Sequence, residues 1–212
     1  CIAVVKNGQF AITNLPTELL NDQLNTIKDN LSLDGIKLGL IHQLESLEIV
    51  KSFLRSFDGP IVLDPVMAFK ETDHVYNDSY REKLIELFPF ATVITPNLKE
   101  AELLSQQKIS NPTEMEQAAK KIIDLGAQSV VIYNGETFQY FSKPKLSNVT
   151  INGAGCTFAS AIASNLVLGK DLVNAIEDSK EYVYQGIKNG LLLKNGEGNV
   201  WFGDSVKSEV MT

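Results

Sequence analysis

The chain has 212 residues, 44% hydrophobic and 21% charged, the composition of a globular protein and of neither a disordered nor a collagen-like one. With 19 Lys and Arg against 26 Asp and Glu, the net charge of −7 and a pI near 4.9 offer no basic surface to DNA or RNA phosphates and argue against nucleic acid as a partner. No apolar run approaches the roughly 18 residues of a membrane span, and the two cysteines, Cys1 and Cys156, build neither a disulfide framework nor a Cys₄ zinc site, which points to a reducing, cytoplasmic setting.

Short β-branched runs alternate with longer amphipathic ones, the pattern of βα units around a mostly parallel sheet. Cys1–Val5 reads as the middle of a strand, so an N-terminal piece is expected to precede it. The alternating run Gln9–Thr13, after Asn7-Gly8, is a candidate second arm of a hairpin. The periodicity then predicts helix Thr17–Asn30, strand Gly35–Leu40, helix Glu45–Phe57, strand Pro60–Leu63 and helix Asp78–Phe88. Strand Ala91–Thr95, helices Asn97–Ser105 and Thr113–Leu125, and strand Gln128–Ile132 follow. Asn134-Gly135, between Val130-Val131-Ile132 and Thr137–Phe141, is the turn dipeptide of a hairpin, so an antiparallel edge is expected there. Two helices are predicted near the C-terminus, Cys156–Leu168 ended by Gly169 and Leu172–Leu193 ended by Asn195-Gly196. The first is small and apolar (Ala159, Ala161, Ile162, Ala163), which suits close packing on the sheet. No repeat or low-complexity linker interrupts the chain, and residues 1–212 read as one domain.

Three stretches can carry chemistry. Asn152-Gly153-Ala154-Gly155-Cys156-Thr157 leads straight into the small apolar helix, where glycines let backbone N–H groups converge and the helix N-terminus adds partial positive charge, making an anion hole. A tight turn that only permits close helix packing accounts for the same glycines. Cys156 falls in the first turn, where a thiol pKa is lowered, although free cysteines are more often inert buried hydrophobes. In Thr95-Pro96-Asn97-Leu98-Lys99-Glu100, Asn97 and Glu100 have the spacing of a capping box. The same Asn-x-x-Glu pair, at the strand edge where open α/β sheets bind ligands, can also orient waters around Mg²⁺. Leu63-Asp64-Pro65-Val66-Met67 ends another strand on a carboxylate, with Lys70 six residues on and within reach of a phosphate. A turn-forming Asp and a solvated Lys are the plainer readings. His42 and His74 have no metal-ligand spacing and read as structural or surface residues.

Taken together, Ile61–Met67, Ala91–Glu102 and Gly153-Ala154-Gly155-Cys156-Thr157 resemble the hydroxymethylpyrimidine/phosphomethylpyrimidine kinases of thiamine synthesis and, equally, the related bacterial pyridoxine/pyridoxal kinases of the ribokinase-like superfamily. The resemblance covers nearly the whole chain. It implies a three-layer αβα fold with a mostly parallel sheet, ATP and Mg²⁺ at the carboxyl edge, a small heterocyclic alcohol as substrate, and a homodimer. By position it places Gly153, Ala154, Gly155 and Cys156 around the transferred phosphoryl group, Cys156 standing where most ribokinase relatives carry a catalytic Asp. Asn97 and Glu100 correspond to the metal-organising Asn-x-x-Glu motif, and Asp64 and Lys70 fall near the phosphate path. The family's opening Gly-rich substrate loop, and its Lys-Gly-Gly segment after the strand ending at Ile132, have no match here. Outside the resemblance, Gly155-Cys156-Thr157 also suits a cysteine-nucleophile hydrolase or acyltransferase, and the unmatched substrate loop suits a non-catalytic nucleotide-binding protein.

Overall fold

The computed structural model describes residues 2–6, 9–67, 77–133, 151–192 and 198–203. They gather in two compact units, Cys1–Tyr133 and Asn134–Thr212. Cys1, Lys70, His74 and the expected Asn134-Gly135 hairpin lie outside the described residues.

The first unit opens with β1 (Ile2–Lys6) and β2 (Gln9–Thr13), paired antiparallel with Ile2 opposite Thr13 and Lys6 opposite Gln9, so the hairpin expected from the alternating run is present. After α1 (Thr17–Asn30) come β3 (Ile36–Leu38), α2 (Leu44–Leu54), β4 (Ile61–Leu63), α3 (Asp78–Ile85), β5 (Val93–Ile94), α4 (Leu98–Ser105) and α5 (Pro112–Asp124). The three strands form a parallel sheet in the order β3-β4-β5. Parallel strands covered on both faces are apolar without alternation, which is why Ile61-Val62-Leu63 is buried at every position.

Several boundaries differ from the sequence expectation for local reasons. Helix α3 stops at Ile85 instead of Phe88 because Pro89 restricts the residue before it, and Phe88–Phe90 tightens into a 3₁₀ turn. Helix α2 ends three residues early, where Ser56 Oγ donates to the Phe53 carbonyl at 3.0 Å and Asp58-Gly59-Pro60 follows. Within the expected strand Gln128–Ile132 only Val130 makes an isolated parallel bridge, with Ile94 of β5, and Tyr133 just beyond it makes another with Asn97, so no ladder forms there. The core holds Leu47, Leu54, Leu63, Leu84, Phe88, Leu104 and Ile122, all at most 1% exposed. Each such side chain contributes about 1.5–3 kcal/mol on burial.

The second unit holds β6 (Ile151–Asn152), α6 (Ala154–Val167), α7 (Leu172–Lys188), β7 (Leu191–Leu192) and β8 (Gly198–Asn199). Helices α6 and α7 pack along each other. Small buried residues, Ala159 and Ala163 on α6 with Ala175 and Ser179 on α7, allow the approach, and Asn165 Nδ2 crosses to Ser179 Oγ at 3.1 Å. The single helix predicted over Leu172–Leu193 ends at Lys188, because Asn189-Gly190 turns the chain and the Gly190 N–H bonds the Ile187 carbonyl at 3.0 Å. Leu191–Leu192 then runs antiparallel to β8, whose other edge pairs parallel with β6. The Phe202 ring stacks on Tyr182 at 4.1 Å and lies over Gly186, where a Cβ would come within 2.3 Å of it.

Candidate active site

In the first unit the carboxyl ends of three parallel strands collect the polar groups. Lys37 sits opposite Val62 and Leu38 opposite Leu63, and the Asp64 N–H bonds the Leu38 carbonyl at 2.9 Å, which brings Gly39 beside Asp64. Gly39 follows the end of β3, two positions after Lys37 and so on the same side of the extended chain. The Lys37 ammonium lies 3.2 Å from Asp64 Oδ2, with side chains 21% and 4% exposed. A Cβ on Gly39 would stand 2.6 Å from Lys37 Nζ, so the missing side chain there is what gives the ammonium its place. Asp64 is therefore the buried half of an ion pair and not the exposed turn residue that an Asp-Pro sequence suggests.

Beyond β5, Asn97 caps α4. Its side chain accepts from the Glu100 N–H at 3.0 Å while Glu100 Oε2 accepts from the Asn97 N–H at 2.9 Å, the complete capping box. Glu100 is only 2% exposed. Burial, chiefly, and then the nearby charge of Asp64 push its carboxyl up from 4.5 to about 8, against the opposing pull of the Asn97 and Met67 N–H groups. An exposed capping box has no such cost. Asp64, Glu100 and Lys37 make a buried edge with two carboxyl groups and one cation. Among the described residues no three His, Cys, Asp or Glu side chains converge on one point. His42 is half-buried.

In the second unit the turn into α6 is built differently from the sequence expectation. Only Gly153 has positive φ, at 85°, and it serves as N-cap, so the helix starts at Ala154 instead of Cys156. Gly155 is an ordinary helical residue. The first helical hydrogen bond runs from the Thr157 N–H to the Gly153 carbonyl at 2.9 Å. The N–H groups of Ala154, Gly155 and Cys156 thus belong to the helix end, where α-helical geometry supplies no acceptor and the dipole favours negative charge. Cys156 is exposed. It borders an open cavity of about 680 Å³ together with Thr157, Ser160, Ser164, Asp178 and Tyr182.

Sequence reasoning missed Lys37. Its signal is a lysine inside Ile36-Lys37-Leu38, the middle of a parallel strand, where a charge needs a carboxylate partner. It also missed the cavity along α6 and α7, which depends on how the two helices meet.

A family model described as phosphomethylpyrimidine kinase matches residues 2–201. The hydroxymethylpyrimidine/phosphomethylpyrimidine kinase of Aquifex aeolicus is 32% identical over 210 residues, spanning 91% of this chain and 82% of that protein. Among solved structures, the ADP complex of Bacillus subtilis pyridoxal kinase superposes with a TM-score of 0.84 at 30% identity, over 93% of this chain and 82% of that one. The phosphomethylpyrimidine kinase of Clostridium difficile gives 0.71 at 27% identity, over 88% and 83%.

Proposed function

The chain belongs to the phosphomethylpyrimidine kinase family, and from that premise we propose that it transfers the γ-phosphoryl group of ATP to the hydroxymethyl group of hydroxymethylpyrimidine and to the phosphate of its monophosphate. The observation that carries this reading is the family match running through the Gly153–Thr157 turn, with the turn's backbone set at a helix N-terminus. There the N–H groups of Ala154, Gly155 and Cys156 receive the negative charge that develops on the transferred group. Cys156, exposed on the first turn of α6, would take the proton of the substrate alcohol when it acts as a thiolate. The bordering cavity is within the size range of small-ligand sites.

Mg²⁺ fits the first unit's donor set. It takes one or two carboxylates and keeps waters and nucleotide phosphates as its other ligands, and Asp64 and Glu100 supply two carboxyl groups close enough to feel each other's charge, both almost fully buried. Bound there, Mg²⁺ would neutralise charge on the phosphates. Glu100 would orient its waters, Asn97 would hold Glu100 in place, and Asp64 and Lys70 would line the phosphate path. A homodimer and a cytoplasmic location complete the reading, the first supported by the family resemblance and the second by cysteine usage. No helix among the described residues is long and apolar enough to cross a membrane.

A second reading, phosphorylation of pyridoxal or pyridoxine, is favoured by the higher TM-score to a pyridoxal kinase, 0.84 against 0.71. ATP-dependent product formation from hydroxymethylpyrimidine, its monophosphate, pyridoxal and pyridoxine separates the two. Turnover of both pyrimidines with the highest kcat/KM is the expected result. Preference for pyridoxal would replace the substrate assignment, and nucleotide binding without turnover of any of the four would overturn the catalytic reading.

A further inference from the structure

The ion pair between Lys37 and Asp64 lies where two carboxyl groups meet, and its own geometry is unusually constrained. The ammonium is 3.2 Å from Asp64 Oδ2 on one side. On the other it occupies the space that a Cβ on Gly39 would take, 2.6 Å away. Lys37 cannot keep this position if residue 39 carries a side chain, and Asp64, at 3% exposure, has little solvent to replace it. Two carboxylates, both ionised, would neutralise a divalent cation, whereas with the Lys37 ammonium beside them the edge carries at most one net negative charge, and less while Glu100 keeps its proton.

We propose that Lys37 is a positioning residue that acts through Asp64 to make divalent-cation binding depend on nucleotide. By holding Asp64 Oδ2 and offsetting its charge, Lys37 keeps the edge too weakly negative to retain a divalent cation by itself. The phosphates of a nucleoside di- or triphosphate supply the missing negative ligands, so cation and nucleotide enter and leave together. This rests on the reading of Asp64 and Glu100 as the cation-facing edge of a phosphotransferase. No covalent step is involved.

The probe is Mn²⁺, with free ion counted by its electron paramagnetic resonance signal, in the absence and presence of ADP. The wild-type chain is expected to bind Mn²⁺ at least tenfold more tightly with ADP than without. Lys37→Met is expected to tighten nucleotide-free Mn²⁺ binding at least tenfold, and the same replacement made in an Asp64→Asn background is expected to change it less than twofold. Where Lys37→Met leaves Asp64 unpaired and the chain does not fold, Gly39→Ala carries the test. Its added methyl meets only the flexible end of Lys37, so it shifts the ammonium relative to Asp64 and is expected to change nucleotide-free binding in the same direction, by less than Lys37→Met does.

Unchanged nucleotide-free affinity in the Lys37→Met and Gly39→Ala proteins, while Asp64→Asn still weakens Mn²⁺·ADP binding, would overturn the role of Lys37 and leave the phosphotransferase reading standing. Equal effects of Lys37→Met in both backgrounds would also overturn it, since the lysine would then not act through Asp64. Wild-type protein that binds no Mn²⁺ even with ADP would remove the cation-facing edge and this inference with it.

Discussion

Glu100→Gln separates the helix cap from the chemistry. The glutamate carboxyl is raised from 4.5 to about 8, burial being the largest cause. Because the folded value lies above that of the unfolded chain, the native protein holds an extra proton between those limits and loses stability as pH rises through them. At about 1.4 kcal/mol per pH unit, that amounts to on the order of 4 kcal/mol lost between about pH 5 and pH 8. Glutamine is permanently neutral and still completes a capping box. Urea unfolding midpoints from pH 5 to pH 9 should therefore fall steeply for the wild type and stay flatter for Glu100→Gln, with the variant the more stable above about pH 7. The exposed groups with shifted values, Lys83, Glu86 and Asp171, titrate alike in both proteins and cancel in the difference. Turnover should respond the opposite way: without an ionisable carboxylate to orient metal waters, kcat should drop tenfold or more at a pH where stability is unaffected. Parallel stability curves would refute the buried-carboxyl argument. An unchanged kcat with a lowered midpoint would leave Glu100 a helix cap and nothing else.

At Cys156, a phosphotransferase needs a proton acceptor and a hydrolase needs a sulfur nucleophile, so Cys156→Ala should cripple ATP-dependent phosphorylation while Cys156→Asp retains clearly more activity than Ala; equal inactivity of the two folded proteins would count against the proton-acceptor role. Gln106 ends α4 in the left-handed region at φ 53° and is exposed. Gln106→Gly should raise the unfolding free energy by about 0.5–1 kcal/mol, measured by urea denaturation, and a loss of stability would contradict the strain argument. Gly126 has φ 116°, and a Cβ there would stand 3.0 Å from Pro89 Cγ. Gly126→Ala should cost more than about 1 kcal/mol, and a thermal midpoint equal to wild type would show that neither the φ nor the contact matters.

Most helices were legible because their limits are written in side chains. Thr17–Asn30 follows its apolar spacing to the residue, and Asn97 with Glu100 marks a start that the structure keeps, whereas α5 begins at Pro112 on an Asn111 cap, one residue before the expected Thr113. The misplaced ends are those where a turn competes with periodicity, as at Pro89 and at Asn189-Gly190. The motif glycines misled in a specific way, since Gly153 alone takes the left-handed turn and α6 begins two residues earlier than its apolar spacing implies. Residue types identified the carboxylates of the first unit, but not their burial or their shared cation. Lys37 and Asp64 are 27 positions apart, and only the parallel register of β3 and β4 brings them into contact.

The parallel sheet and the α6–α7 pair also impose different timetables on folding. A rung between β3 and β4 requires the intervening chain, α2 included, to close first, and β5 requires a second such closure. Helices α6 and α7 are joined by a turn of four residues, Leu168 to Asp171, so their interface is assembled from contacts close in sequence. Local contacts form faster than distant ones. The helical pair, although it follows the sheet along the chain, is therefore expected to reach its native packing ahead of it, and the ion pair between Lys37 and Asp64 to be among the late contacts, because it exists only after two strands separated in sequence have found their alignment.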